Sequence, residues 1–327
     1  MEKLIINFPT QLREAMEIAA NATVTAPTRP IRNIVLAGLG GSGIGGNLVA
    51  ELIRDECKVP FLISKGYSLP KFINKNTLVI LSSYSGNTEE TLSACAQAIA
   101  AECKIIAISS GGKLIELAKE HGFDHIIVPG GMPPRSCLGY SVVQQIAALH
   151  KYGIVRQKMM KDLGNIADFL QKEQANIQKI SKKVAAQLLD KIAVIYTTDR
   201  MESVAVRFRQ QVNENSKMLC WHHVIPEMNH NELVGWRIPN DDLAVIYFRN
   251  KDDYQRNAVR IDINKTIIKD YTKTIIELNS KGRNLIERAM YFVHLGDWTS
   301  CYMADLREVD SIEVKAIDFL KNELSKV

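Results

Sequence analysis

The sequence predicts an α/β protein of two doubly wound domains, each a parallel sheet flanked by helices. Three observations point there. Short apolar runs of strand length recur, and the early ones end in glycines or hydroxyl residues. Helical stretches separate them. The order strand, helix, strand, helix, strand occurs twice along 327 residues. Strands alternating with helices make βαβ units and hence a parallel sheet. At about 150 residues per domain, the length also suggests two domains.

Residues 33–37 form an apolar run that ends in glycines, as a strand buried on both faces requires. A helix is expected over 43–54. Strands follow at 61–63 and 77–81, then a helix over 88–101. Strands at 104–109 and 125–128 flank a helix around 113–120. Residues 129–140 hold Pro129, Pro133, Pro134 and three glycines, and read as a loop. Residues 141–190 read as helix without strand. The pattern restarts with a strand at 193–196 and a helix near 201–214. Strands near 243–248 and 273–278 flank a helix near 253–268, and helices run on to the end. The two halves share this order about 150 residues apart without strong residue identity. The expected division is a first domain at 1–150, a helical connector at 151–190 and a second domain at 191–327.

Charge and composition narrow the partners. The net charge is +5, from 41 basic and 36 acidic residues, with no block of five or six like charges. This argues against a nucleic-acid partner. No run of 18 apolar residues occurs, so no membrane helix is expected. No long apolar stretch follows Met1-Glu2-Lys3-Leu4, so no signal peptide is expected. The six cysteines form no CxxC pair, which weighs against structural zinc. Reduced thiols in a cytoplasmic protein are expected.

Two strand ends carry chemistry. Gly38-Leu39-Gly40-Gly41-Ser42-Gly43-Ile44-Gly45-Gly46 follows a strand and opens a helix. Glycines there let backbone N–H groups approach an anion, and the helix N-terminus favours negative charge. The stretch satisfies GxGxxG, but the acid that a dinucleotide site places about 20 residues on is missing. The next strand ends Leu62-Ile63-Ser64-Lys65, and Lys65 keeps an NADP enzyme open as an alternative. No Gly-Lys-Ser/Thr follows, which argues against a P-loop. The plain alternative is a tight turn with close strand–helix packing. Adjacent glycines cost conformational entropy, and the sequence shows no packing need for so many.

The second loop is Ser82-Ser83-Tyr84-Ser85-Gly86-Asn87-Thr88-Glu89-Glu90-Thr91. Ser83, Ser85 and Thr88 offer hydroxyls. No lysine or arginine is present, so a monophosphate ester fits better than a pyrophosphate. The plain alternative is a helix cap on Asn87 or Thr88 with acids in the first turn. Both loops end strands of one sheet, where open α/β sheets bind ligands.

Gly40-Gly41-Ser42-Gly43 and Ser83 through Thr91 together resemble the sugar isomerase (SIS) domain. The whole chain resembles the bifunctional phosphoglucose/phosphomannose isomerase family, which has two SIS domains in a chain of about this length. The resemblance implies an enzyme that interconverts an aldose 6-phosphate with fructose 6-phosphate through a cis-enediol. It assigns substrate binding to Gly40, Gly41, Ser42, Ser83, Ser85 and Thr88. It makes Arg135, in Gly131-Met132-Pro133-Pro134-Arg135, the stabiliser of the enediolate. A fixed guanidinium aimed at developing charge lowers a barrier in a shielded site. It makes Glu214, in Asn213-Glu214-Asn215-Ser216-Lys217, the base between C1 and C2. From the residues alone, Glu214 is a helix-end acid that the helix dipole mildly disfavours.

It makes His230, in Glu227-Met228-Asn229-His230-Asn231-Glu232, the residue that opens the sugar ring. Imidazole suits a proton shuttle at neutral pH. His222 and His223 do not fit the motif. It places a lysine on the last helix, best matched by Lys321 with Lys315 as the rival. One departure stands out: members active on both epimers carry a threonine shortly before that lysine. Residues 308–321 contain none, and Ser311 is the nearest substitute. That bears on mannose 6-phosphate more than on glucose 6-phosphate. The resemblance also implies a homodimer in which His230 reaches the neighbour's site. No metal or cofactor is expected, because a carboxylate alone can carry a 1,2-proton shift. The rival reading is a non-catalytic SIS regulator that binds sugar phosphates, although no basic helix-turn-helix fits in the first 30 residues.

Overall fold

The computed structural model describes residues 1–324 and Lys326. The chain divides into two compact units. One comprises Asn7–Gln171 and Asn284–Glu287; the other comprises Met1–Ile6, Lys172–Arg283 and Arg288–Val327. Among the described residues, no helix is long and apolar enough to cross a membrane.

A short helix α1 (Glu2–Ile6) opens the chain, and α2 (Phe8–Asn21) begins the first unit. Phe8, Leu12, Ala15 and Ala19 of α2 are buried, a stripe at helical spacing. Then come β1 (Asn33–Ala37), α3 (Gly40–Ile53), β2 (Phe61–Ser64), β3 (Thr77–Ser82), α4 (Glu89–Ala100), β4 (Lys104–Ser109), α5 (Gly112–His121) and β5 (Asp124–Ile127). Helices α6 (Leu138–Lys151) and α7 (Gln157–Gly164) follow, and α8 (Ile166–Leu188) carries the chain into the second unit.

The five strands are parallel, in the order β2-β1-β3-β4-β5. All six residues of β3 are buried, which is why the strand is a continuous apolar run. Side chains alternate between faces. Val35, Ala37, Val79 and Leu81 pack with Ala94, Cys95 and Ala98 of α4 and Leu114 of α5. Leu36 points the other way, toward Gly46 of α3. Helices therefore cover both faces, and β1 and β3 flank the point where the strand order reverses.

The second unit adds β6 (Ile192–Thr198), α9 (Glu202–Ser216), β7 (Cys220–Ile225), β8 (Leu243–Arg249), α10 (Gln255–Ile268), β9 (Thr274–Asn279), α11 (Leu285–Leu306) and α12 (Lys315–Leu324). Its sheet is also parallel, in the order β7-β6-β8-β9. That order matches β2-β1-β3-β4, so the repeat read from the sequence is a repeat of topology. Val194, Tyr196, Val245 and Tyr247 pack against Ile261 and Ile268 of α10. On the opposite face Phe248 stacks on Phe292 of α11 at 4.8 Å and meets Phe208 of α9 edge-on at 5.7 Å.

No strand is expected at 220–225 from the sequence, yet β7 forms there. It is an edge strand. Trp221, His222 and His223 are exposed or half-buried, so the segment lacks the apolar run that marks the inner strands.

Asp124 opens β5 and fastens the edge of the first sheet. Its carboxylate accepts from Thr25 N–H at 3.1 Å and Tyr152 O–H at 2.8 Å, and pairs with Lys104 Nζ at 2.8 Å. Burial alone would raise its pKa, but these partners outweigh burial and hold it below 3.8. The unfolded chain therefore binds the proton more readily. The stabilisation is complete above 3.8 and is lost as pH falls through the folded value. Urea unfolding of Asp124→Asn should show a deficit of about 2 kcal/mol at pH 7 that narrows below pH 3.8. A deficit independent of pH would contradict this assignment.

Candidate active site

Strand β1 runs into α3 at Gly40, whose φ of +52° turns the chain. Ser42 N–H and Gly43 N–H bond back to Leu39 O, each at 3.1 Å, and no side chain caps the helix. The other glycines of the stretch do have a packing role, contrary to the expectation from sequence. A Cβ at Gly38 would stand 2.7 Å from Ser82 O, one at Gly43 2.4 Å from Gly38 O, and one at Gly46 2.7 Å from Leu36. Gly40 alone in the stretch meets nothing within 4 Å. Close packing and an uncapped helix N-terminus thus coexist.

The loop from β3 to α4 is built from its own hydroxyls. Ser83 Oγ accepts from Gly86 N–H at 3.1 Å and pairs with Thr88 Oγ1 at 2.8 Å. Ser85 Oγ accepts from Asn87 N–H at 3.3 Å. Ser83 is buried, Thr88 half-buried and Ser85 exposed. Neither capping alternative holds. Thr88 occupies the cap position of α4 but makes no side-chain cap bond. Asn87 Oδ1 accepts from Lys113 N–H at 2.9 Å and so serves the first turn of α5. The loop can turn only because Gly86 has φ +71°; a Cβ there would lie 1.8 Å from Gly111 O.

Arg135 lies in a short 3-10 turn, Pro134–Ser136, and is only 4% exposed, so it is no ordinary surface arginine. Both loops touch its segment. A Cβ at Gly41 would stand 2.9 Å from Pro134 O, and Met132 N–H donates to the Tyr84 hydroxyl at 3.1 Å. Gly41, Ser42, Ser82, Tyr84, Pro134 and Cys137 line one small cleft. The structure therefore gathers the glycine turn, the hydroxyl loop and the Arg135 turn at the β1/β3 reversal, where doubly wound sheets bind ligands.

Two neighbours lie outside the assigned sugar-phosphate set, although the sequence already offers Lys65 to the 2′-phosphate of NADP. Tyr84 sits inside the hydroxyl motif but has no role there until the fold brings Met132 to it. Lys65 follows β2, and its Cε lies 3.7 Å from the Cβ position of Gly43. A cation thus stands beside the glycine turn although neither loop contains one. A wider concavity of about 750 Å³ in the same unit is lined by Glu14, Glu17 and Asp124. Those carboxylates oppose a phosphate there.

In the second unit, Glu214 is half-buried in the last turn of α9. Its neighbours fix that turn. Asn213 Nδ2 donates to Met218 O at 2.7 Å, Asn215 Nδ2 to Ser300 Oγ at 2.9 Å, and Ser216 Oγ to Ser300 O at 2.7 Å. Farther back, Arg207 makes a buried ion pair with Asp297 at 3.0 Å. Four contacts therefore hold the helix whose last turn carries Glu214.

His230 closes a 3-10 turn, Glu227–His230, and is exposed. The residues beside it anchor the turn on several sides. Asn229 Nδ2 donates to Asn264 Oδ1 at 2.9 Å, and Asn231 Nδ2 to Glu227 Oε1 at 2.8 Å. Glu232 Oε1 accepts from the Tyr196 hydroxyl at 2.6 Å and from Trp221 Nε1 at 3.1 Å. Burial and then Glu232 push the Tyr196 hydroxyl far up, so it stays a donor. His223 Nδ1 lies 3.4 Å from Glu232 Oε2 and His222 Nε2 3.9 Å from Glu202 Oε1, so both face acids within the unit. Lys315 opens α12 and Lys321 lies six residues on; both are exposed.

The second sheet has its own reversal, between β6 and β8, but a different lining. Thr198 Oγ1 donates to Asp253 Oδ1 at 2.6 Å, and Asn250 N–H to Asp253 Oδ2 at 2.9 Å. Arg288 bonds Asn250 and pairs with Asp252. Burial holds the Asp253 pKa up. Internal acid pairs occupy the place where the first unit has hydroxyls and glycine. Among the described residues, no group of three His, Cys, Asp or Glu side chains is placed to hold a metal ion.

Comparison with known proteins adds the family. A model of the bacterial phospho-glucose isomerase C-terminal SIS domain matches residues 177–324. The bifunctional phosphoglucose/phosphomannose isomerase of Caldicellulosiruptor bescii is 38% identical, covering 100% of this chain and 99% of that protein. The Aquifex aeolicus protein of the same name is 36% identical, covering 91% and 92%. Among solved structures, the C-terminal domain of glucosamine-fructose-6-phosphate aminotransferase from Francisella tularensis has a TM-score of 0.76 at 14% identity, covering 96% and 97%. That likeness shows a shared fold.

Gly86→Ala tests the turn on which the hydroxyl loop depends. The substitution should cost about 3 kcal/mol in urea unfolding, from strain plus overpacking. A variant as stable as the parent would show that the loop does not need the approach of Gly86 to Gly111.

Proposed function

The chain belongs to the bifunctional phosphoglucose/phosphomannose isomerase family, and from that premise we propose that it interconverts glucose 6-phosphate and mannose 6-phosphate with fructose 6-phosphate through a cis-enediol. The observation that carries the reading is the β1/β3 cleft. The uncapped N-terminus of α3 lines it through Gly41 and Ser42, the start of the hydroxyl loop through Ser82 and Tyr84, and Pro134 brings the turn of the buried Arg135 to its edge.

The phosphate binds to Ser42, Ser83, Ser85 and Thr88, supported by the backbone N–H groups of the first helical turns. Gly40 and Gly41 keep that approach free of side chains. Imidazole at His230 opens the closed sugar ring, assisted by Lys321. Glu214 takes the proton from one of C1 and C2 and returns it to the other. Charge develops on the enediolate oxygens meanwhile, and Arg135 with the Gly40–Gly41 backbone opposes it. A guanidinium held out of bulk water is worth more to such charge than one in solvent. The reaction needs neither metal nor cofactor in this reading. Ser311, the substitute for the family's threonine, leaves room for both C2 epimers.

The protein works as a homodimer in the cytoplasm, without a nucleic-acid or membrane partner, and His230 serves the neighbour's site. The exposure of His230 supports this, as do Val234 and Ile238, which are 61% and 80% exposed just beyond it.

The decisive assay follows fructose 6-phosphate formation from each aldose separately, with EDTA present. Both substrates should turn over. Glu214→Gln should lower kcat by about 10²- to 10⁴-fold, the range of a general base. Mixing Glu214→Gln subunits with His230→Ala subunits should restore activity, because one site of the mixed dimer regains both groups. Binding without turnover would favour the regulator reading, and full activity of Glu214→Gln would sink the assigned base.

A further inference from the structure

Lys217 is a residue that the proposed chemistry does not use, and it occupies an unusual place. It terminates α9 in the left-handed region, with φ +55°, and its N–H bonds back to Val212 O. Its ammonium then does two things at once. Nζ donates to the carbonyl of Glu214 at 2.5 Å and to the carbonyl of Glu313 at 2.7 Å. The first is one of the last-turn carbonyls that a helix leaves without an internal partner. The second lies in the segment that enters α12. The Glu313 carboxylate accepts from Lys315 N–H at 3.1 Å and so binds the first residue of α12. Asp310 Oδ1 accepts from Ile312 N–H at 2.7 Å and fixes the turn that carries Ser311.

A continuous polar chain thus runs from the backbone of Glu214 through Lys217 to Glu313 and the start of α12. This link matters because no residue of α12 is buried. An amphipathic helix without a buried face takes little positional stability from packing. An ordinary lysine at a helix end completes the dipole and is worth only a few tenths of a kcal/mol. An ammonium shared between two segments has a stronger consequence, since it fixes one segment with respect to the other.

We infer that Lys217 is a positioning residue that staples the turn carrying Glu214 to the segment that carries Ser311 and leads to Lys321. The inference rests on the proposed role of Glu214. It assigns Lys217 no contact with substrate. Its loss loosens the segment entering α12 and misplaces the base, while the phosphate loops of the first unit are untouched. Misplacement of a reacting group by a fraction of an ångström is enough to cost an order of magnitude or more in rate.

The left-handed cap makes a clean test available. Lys217→Gly keeps the cap, because glycine favours that conformation, and removes only the ammonium. Expected are a kcat about tenfold lower, a KM within about twofold and an unchanged melting temperature. Hydrogen–deuterium exchange over 308–324 should speed up. Lys217→Arg, which can still reach both carbonyls, should recover most of the rate. A kcat equal to wild type in Lys217→Gly overturns the proposal. So does a rate loss that tracks a fall in melting temperature in both variants, since that marks a merely structural lysine. Glu214→Gln is assayed alongside. If it is inactive while Lys217→Gly is fully active, the staple fails alone. If it is fully active, the assignment of the base fails first.

Discussion

At the carboxyl end of the first sheet, the carbonyl oxygen of Gly111 occupies the space that a side chain at Gly86 would need. The carbonyl of Ser82 does the same to Gly38 from the neighbouring strand end. Backbone lying on backbone draws together the loops after β1, β3 and β4. The N-terminus of α3 opens beside one small cleft, and the loop after β5 fits against Gly41 with Arg135 buried in it. The glycines therefore have a structural cause and a functional consequence at once. In the proposed site, the same absence of Cβ that permits packing keeps side chains out of the anion's approach.

The second unit shows what the same topology becomes without those glycines. Its β6/β8 reversal is lined by Thr198, Asp253, Asn250 and Arg288, bonded to one another or to Asp252. An anion finds acids there. The useful groups lie elsewhere in this unit, on the last turn of α9 and on the turn after β7. Both places are heavily braced. Arg207, Asn215 and Ser216 bind α9 to α11, and Asn229, Asn231 and Glu232 brace the turn of His230. In the proposed reaction the first unit holds the phosphate and the second supplies the proton-transfer groups.

Legibility in the sequence followed burial. Strands β1, β3 and β4 were readable within a residue, because a parallel strand buried on both faces must be apolar throughout. Strand β7 was not, because its open edge tolerates His222 and His223. Non-local contacts were equally invisible. Asn87 reads as a cap for the helix one residue on, but its bond goes to Lys113, 26 residues away. Arg135 reads as a loop arginine, and its burial arises only when Gly41 and Tyr84 bring their loops to it. The candidate groups themselves were legible through short motifs. What holds each in place was not, because Ser300, Asn264 and Tyr196 lie on other elements.

Carboxylate-mediated proton transfer between adjacent carbons leaves an isotopic signature. The protein converts glucose 6-phosphate in D2O, and proton NMR follows C1 of the fructose 6-phosphate formed. Deuterium is expected at C1, because a proton held by Glu214 exchanges with solvent during the lifetime of the enediol, and no such labelling with Glu214→Gln. Full turnover with no deuterium in product or recovered substrate, under repeated cycling, would contradict it and indicate direct hydride movement between the two carbons.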